Sequence, residues 1–569
     1  MRVFSIRSFG LAACVALSLV VAAPVSAQNG LAGAYLAARH ASYFSDYKAA
    51  AQYYTQALAR DPSNPNLMES ALLAFTGLGQ VERAVPIARR MVQGGLNSQA
   101  AHLVLMADQL KRGAFDAVLE DAEAGRSIGP LVDNLISAWS HFGEGRMSEA
   151  LAAFDAAAGQ AGLAVFGLYH KALALAAVGD FEGAAELFSG DDGRALLVTR
   201  RSVLADVEIL SQLERNPEAV TLIDDIFGLE LDPGLSDLRD RLIAGETLPF
   251  TTIRNAQDGA AEVFFTVAGA LNGEANDTFT LLYSRIAEYL RPDHVDAMLL
   301  TASLLEAQEQ FDLATAAYLQ VPNDDPAFYA AELGRAETLE ESGRTEAAIE
   351  VLTQLSKSHS GVVLVHVSLG DMLSRLKRYG EAVVAYDQAA ALFGEPEPSQ
   401  WVVYYARGIA LEREKRWPEA EADFRKALEL QPDQPRVLNY LGYSYVEMGT
   451  NLDEALSMIE RAVEGRPDDG YITDSLGWVL YRLGRYQEAV APMERAAELL
   501  PIDPIVNDHL GDVLWAVGRR LEAEFQWKRA LSFDPEETDA QRIRHKLDVG
   551  LDKVREEEGL APISVANGD

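Results

Sequence analysis

The apolar, small and polar positions of this chain recur with a period of 34 residues. Residues 471–501 read YITDSLGWVLYRLGRYQEAVAPMERAAELLP, and residues 505–535 read IVNDHLGDVLWAVGRRLEAEFQWKRALSFDP. Leu476-Gly477 stands 34 residues before Leu510-Gly511, and Ala489, Ala496 and Pro501 stand 34 before Ala523, Ala530 and Pro535. Carried backwards, this frame gives units starting at 261, 295, 329, 363, 401, 435, 470 and 504. It needs only four extra residues at 397–400 and one near Thr450-Asn451. Self-similarity at such a period marks an array of like supersecondary units.

The residues at fixed places in the frame say what each unit is. The eighth position carries Ala268, Ala302, Ala336, Gly370, Gly408, Gly442, Gly477 and Gly511, all small. The twentieth carries Thr280, then Ala314, Ala348, Ala382, Ala420, Ala455, Ala489 and Ala523. Small residues at these two places let a first helix, A, and a second, B, approach closely. Larger neighbours such as Leu476, Leu480 and Met493 fill the space around that contact. Pro292, Pro326, Pro432, Pro467, Pro501 and Pro535 close six units, where a residue without an N–H stops helix B. Pro418, just after Trp417, suits the first turn of a helix B.

These residues resemble the tetratricopeptide repeat (TPR), a helix–turn–helix unit that stacks into a right-handed superhelix. The fold expected from that resemblance is an all-α superhelical solenoid of about 14 repeats. The C-terminal array runs over 261–537. A degenerate N-terminal array over 31–233 keeps the frame in units at 31–64, 65–98, 99–130, 131–164, 165–198 and 200–233. Those units hold Ala50, Ala84, Val118, Ala150, Ala184 and Ala219 at the small position, with Tyr47, Phe115 and Phe181 just before the second helix. Residues 234–260 break the frame at Gly245-Glu246-Thr247-Leu248-Pro249 and read as a packed insertion or a hinge. Residues 538–558 read as one polar capping helix with Ile543 and Leu547 on its inner side, and 559–569 as a flexible tail.

Composition narrows the function classes. The 569 residues are 49% apolar and 24% charged, the balance of a folded protein. A formal net charge of −36 argues against nucleic acid or an anionic membrane as the main partner, since polyanions are met by Lys and Arg. The single cysteine, Cys14, leaves no intramolecular disulfide and no thiolate metal cluster. Residues 1–27 hold Arg2 and Arg7, an apolar run over 9–23, and the small-residue site Val25-Ser26-Ala27. That order is a secretory signal peptide cleaved after Ala27, which places the chain in the periplasm. Leu11-Ala12-Ala13-Cys14 supports the alternative of a lipid anchor on Cys14. No later apolar run is long enough to span a membrane.

Candidate chemistry is sparse. Gly125-Arg126-Ser127-Ile128-Gly129 has the letters of a nucleophile elbow but sits at the end of a helix B rather than after a strand. His359 and His366, the closest pair among nine histidines, have no intervening acid to complete a zinc motif. No catalytic residue, cofactor or metal is expected, and a binding surface remains. In this repeat class the second, fifth, ninth and twelfth positions of helix A point into the concave groove. Those places, with Tyr440 beside them, hold Tyr405, Asn439, Tyr443, Tyr471, Asp474, Trp478, Tyr481, Asp508, Asp512 and Trp515. Aromatic rings interleaved with Asp and Asn make a protein-binding groove, whose aspartates would meet basic side chains. The other reading has Trp478, Tyr481 and Trp515 filling the seam between repeats.

The segment Asp474-Ser475-Leu476-Gly477-Trp478 and residues 260–294 make the chain similar to envelope TPR adaptors. Members of that family partner a carboxyl-terminal processing serine protease and bring it substrates such as murein-hydrolysing enzymes. The resemblance implies a periplasmic adaptor that docks an enzyme and its protein clients on different stretches of one solenoid. The alternative is a scaffold or assembly factor for a secretion, pilus or polysaccharide-export complex.

Overall fold

A computed structural model describes residues 31–160, 162–190, 196, 199–228, 231–395, 397–560 and 563. The expected signal peptide, with Cys14 and Ala27, and most of the expected tail lie outside the described residues. Among the described residues there are 31 α-helices, one short 3-10 helix at Pro398–Gln400, and no strand. The protein is an all-α repeat solenoid. None of its described helices is long and apolar enough to cross a membrane.

The helices keep to the 34-residue frame. Leu31–Tyr43 pairs with Tyr47–Leu58, and Pro65–Gly77 with Val81–Gln93. Near the other end, Gly470–Arg482 pairs with Tyr486–Leu499, and Pro504–Ala516 with Arg520–Leu531. The small positions do what their size requires. A Cβ on Gly477 would lie 2.5 Å from Met493 Cγ, and one on Gly511 would lie 2.4 Å from Trp527 Cδ1. Ala314, Ala348, Ala382, Ala420, Ala455, Ala489 and Ala523 are all fully buried against the partner helix. Asp469 and Asp503 cap the next A helices, each carboxylate accepting two backbone N–H bonds.

The chain divides into two compact units, one up to Val351 and one from Leu352. That boundary lies away from residues 234–260, and packing within the first unit explains why. Pro233–Ile243 is helical, and residues 244–255 are pinned rather than loose. Leu248 and Ile253 are buried, Glu208 accepts from the Thr251 and Thr252 backbone and hydroxyls, and Arg201 and Arg291 both donate to the Thr252 carbonyl. Asn255 then caps a 16-residue helix, Ala256–Leu271, which therefore starts five residues ahead of the expected unit at 261.

This helix and the next, Asp277–Leu290, fold back onto the N-terminal repeats. Ala256–Leu271 packs on Pro130–Gly143, so closely that a Cβ on Gly259 would lie 2.3 Å from the Trp139 ring. Asp277–Leu290 packs on Pro65–Gly77 and Gln99–Lys111. Arg285 Nε donates to the Gly77 carbonyl at 3.3 Å, and Lys111 Nζ to the Leu290 carbonyl at 3.3 Å. A buried charge cluster seals the contact. Glu262 accepts from Tyr169 Oη at 3.0 Å and Arg201 Nε at 2.6 Å, with His294 Nε2 at 3.4 Å. Burial alone would raise the Glu262 pKa, but Arg201 and His294 outweigh it and hold the carboxyl well below its usual range. The A helices Pro65–Gly77, Gln99–Lys111, Pro130–Gly143 and Ala164–Ala177 of the N-terminal repeats thus carry an internal occupant.

Candidate protein-binding groove

The second unit holds an open groove across successive A helices, with a volume of about 520 Å³. Trp401–Arg413 contributes Glu412 and Arg413, Pro435–Met448 contributes Asn439, Tyr440, Tyr443 and Glu447, and Gly470–Arg482 contributes Tyr471 and Asp474. Asp503, Ile505 and Val506 close the far side, while Trp417 and Met448 add apolar surface. Helix A of each unit reaches the groove because its other face is taken by helix B; Gly442, for example, is pressed against Ile459.

The polar groups share one character. Glu412 accepts from Tyr440 Oη at 3.3 Å, Glu447 from the Trp478 indole N–H at 2.9 Å, and Asp503 from Tyr471 Oη at 3.3 Å. Burial, with Glu447 adding to it, raises the Tyr443 phenol above its usual pKa; burial and Glu412 do the same for Tyr440. The charge of Asp503 is the main cause of the upward shift at the more exposed Tyr471. These phenols remain protonated donors at neutral pH. Asn439 Oδ1 is buried at the groove and has no hydrogen-bond partner among the described residues.

Asn439, Tyr440, Tyr443, Tyr471 and Asp474 therefore come together as the frame suggests. Tyr405 stands behind them, its ring 5.9 Å from that of Tyr440 and edge-on to it. The remaining five residues have a different setting, a correction to the groove expectation. Trp478 is sandwiched between His509, at 4.0 Å, and Tyr481, at 4.8 Å, both rings within 10° of parallel. Tyr481 is buried and accepts from Arg555 Nη1 at 3.1 Å. Asp508 and Asp512 are both bound by Lys546 Nζ, at 2.8 Å and 2.6 Å, and Trp515 donates to Asp552 at 3.1 Å. These side chains fill the seams with the following repeat and with the C-terminal helices.

Those helices, Glu537–Val549 and Leu551–Glu557, are two, where one was expected, because Gly550 adopts φ +83 between them. The break lets residues 551–557 turn over the Trp515 and Tyr481 side chains. Asp474 is also engaged from the next repeat, its carboxylate 3.0 Å from His509 Nδ1. Burial lowers the His509 pKa, but Asp474, helped by Asp508 and Asp512, raises it above the ordinary histidine value. Glu412 and Ile505 stand at the twelfth and second places of their units and are legible from the frame. Glu447, Trp417 and Asp503 are off those places and reach the groove only through tertiary packing.

Other candidates resolve into structure. Ser127 hydrogen-bonds Asp133, which also caps the backbone at Ile128 and Gly129, so the G-x-S-x-G segment is a helix-entry turn. His366 Nε2 meets the Ser360 carbonyl at 2.9 Å, and no cluster among the described residues has metal-binding composition.

Sequence comparison matches two tetratricopeptide-repeat family models, one at residues 401–434 and the other at 35–101, 333–399 and 439–504. The groove falls largely within the matched segments. A TPR repeat-containing protein of Pseudomonas aeruginosa is 30% identical over 183 residues, 32% of this chain and 30% of that protein. A protein O-mannosyl-transferase of Drosophila melanogaster is 30% identical over 108 residues, 17% of this chain and 11% of that protein. The chain thus aligns with less than a third of either relative. Similar solved structures include a tetratricopeptide repeat protein from Parabacteroides merdae, with 16% identity over 45% of this chain and 98% of that one and a TM-score of 0.36. The APC/C hetero-tetramer Cut9-Hcn1 matches with 15% identity over 91% of this chain and 96% of that one, TM-score 0.36. YrrB, described as a TPR protein with an unusual peptide-binding site, matches with 21% identity over 35% of this chain and 99% of that one, TM-score 0.28.

Proposed function

Because this chain carries tetratricopeptide repeats, we propose that it is a non-enzymatic adaptor that holds a linear segment of a partner protein. The observation that carries this reading is the contrast between its inner faces. Helices 256–290 already cover the A helices of the N-terminal repeats, while the groove from Glu412 to Val506 is left open. A body whose inner surface is filled is a rigid mount; the aromatic groove is the part free to receive a ligand. Within this reading the adaptor works in the periplasm, which the expected signal peptide over residues 1–27 supports. The resemblance carried by residues 474–478 and 260–294 supports, within the same proposal, a carboxyl-terminal processing protease as the enzyme partner and envelope hydrolases as the clients.

The test is photocrosslinking in intact cells, with benzoyl-phenylalanine in place of Met448, a groove residue that is 43% exposed. The control carries the same group in place of Leu521, which is exposed and does not line the groove. Capture of an envelope protease or its hydrolase substrates at Met448 and not at Leu521 is the expected result. Membrane machine components in fixed ratio at both sites would replace the adaptor with the scaffold reading.

A further inference from the structure

The polar lining of the groove is one-sided. Its carboxylates, Glu412, Glu447, Asp474 and Asp503, are acceptors, and so is the unpartnered Asn439 Oδ1; one guanidinium, Arg413, stands among them. Carboxylates that face an open groove are met best by a ligand that brings charged N–H groups, since such hydrogen bonds are stronger than neutral ones. Between the acceptors lie flat π surfaces, Trp417, Tyr440, Tyr443 and Tyr471. Lysine meets the charge and can sit over a ring, but it lacks a planar fork. Arginine satisfies both features, because its guanidinium stacks on aromatic faces while its edge donates in a fork to carboxylates. The chain already uses that pairing nearby: Arg520 sits 4.8 Å over the Trp515 ring, and Arg407 bonds Asp423 through two nitrogens while lying 5.5 Å from the Tyr404 ring.

Resting on the reading of this groove as the docking site, we infer that its occupant is an arginine-bearing linear segment of a partner protein, with apolar residues between the arginines. The carboxylates take the guanidinium edges, the tyrosines take their faces, and Met448, Ile505 and Val506 take the intervening apolar side chains. An acidic segment or a free C-terminal carboxylate meets like charge on most of the wall.

The experiment uses the full mature chain and three capped, fluorescein-labelled octapeptides that alternate leucine with arginine, lysine or glutamate. Fluorescence anisotropy gives affinity, and the Met448 photocrosslinker gives location. The expected order is arginine, then lysine, then glutamate, with binding that weakens as salt rises from about 50 mM to about 300 mM. The double variant Glu412→Gln with Asp503→Asn keeps the side-chain shapes and the helix cap, and should weaken the arginine peptide about tenfold or more. Glutamate-peptide binding at Met448, lysine equal to arginine, or no effect of the double variant would overturn the inference. Envelope partners captured in cells at Met448 without arginine-peptide binding would sink it alone and leave the docking site standing. Loss of both would remove the docking site as well.

Discussion

Lys546→Met should release the C-terminal helices from the last repeat. Lys546 Nζ is fully buried, 2.8 Å from both Asp508 oxygens and 2.6 Å from Asp512 Oδ1, under the ring of Trp527. Met fills nearly the same volume, so the change removes charge with little loss of packing. What remains is two buried carboxylates whose nearest cation, Arg542, is 3.5 Å from Asp512 and 3.9 Å from Asp508. Breaking one side of a buried ion set costs about 3–5 kcal/mol. At 1.4 kcal/mol per decade, the fraction of molecules with 537–557 undocked should rise by about two to three and a half orders of magnitude. Burial already raises the Asp508 pKa, with Lys546 opposing and Asp512 adding to it. Without the lysine the folded-state value of Asp508 rises further. A raised carboxyl destabilises as it ionises, so the deficit should be largest at neutral pH and shrink on acidification.

Limited trypsin digestion at Arg542, Arg544 and Lys553, read against denaturant unfolding, measures the release. Neutralising the whole set, Lys546→Met with Asp508→Asn and Asp512→Asn, should restore most of the stability. A single Lys546→Met variant within about 0.5 kcal/mol of the parent would refute the buried-triad argument.

Asp206 is buried with one oxygen unpartnered, and burial raises its pKa to about 7. The folded state then holds an extra proton between about pH 4 and pH 7, so stability falls through that window. Asp206→Asn should stabilise the first unit by up to about 4 kcal/mol at pH 8 and not at pH 3, measured by urea unfolding. His509 gives the same sign by a different route: its raised value means the stabilisation from Asp474 is complete below about pH 6.5 and is lost as pH rises through the folded pKa. The stability gap between the parent and His509→Gln should therefore narrow on going alkaline, and a gap independent of pH would count against a charged pair. Ala489→Leu, at a fully buried contact between helices A and B, should cost about 1–3 kcal/mol in thermal unfolding.

Groove and seam were hard to separate from the sequence for a definite reason. Asp474 and Asp508 occupy the same place in successive units, as do Trp478 and Asp512. Yet Asp474 lines the groove while Asp508 is sealed against Lys546, because what lies over each depends on the next element along the stack. The final repeat is followed by helices broken at Gly550, so its groove positions become an interface. Glu447 reaches the groove through an indole hydrogen bond to Trp478 of the following unit, a contact that periodicity does not encode.

The all-α class and the 34-residue frame were legible in the chain because the constraint behind them is local. A glycine or alanine facing a large side chain some sixteen residues later, as with Gly477 and Met493, is enforced within each repeat and so recurs at fixed spacing. The fold-back of 256–290 was not legible, nor the boundary at Val351. They rest on pairs such as Arg285 with the Gly77 carbonyl and Glu262 with Tyr169, which occur once and lie far apart in the chain. A contact made once leaves no period to read, and only the tertiary structure decided which inner face is filled and which stays open.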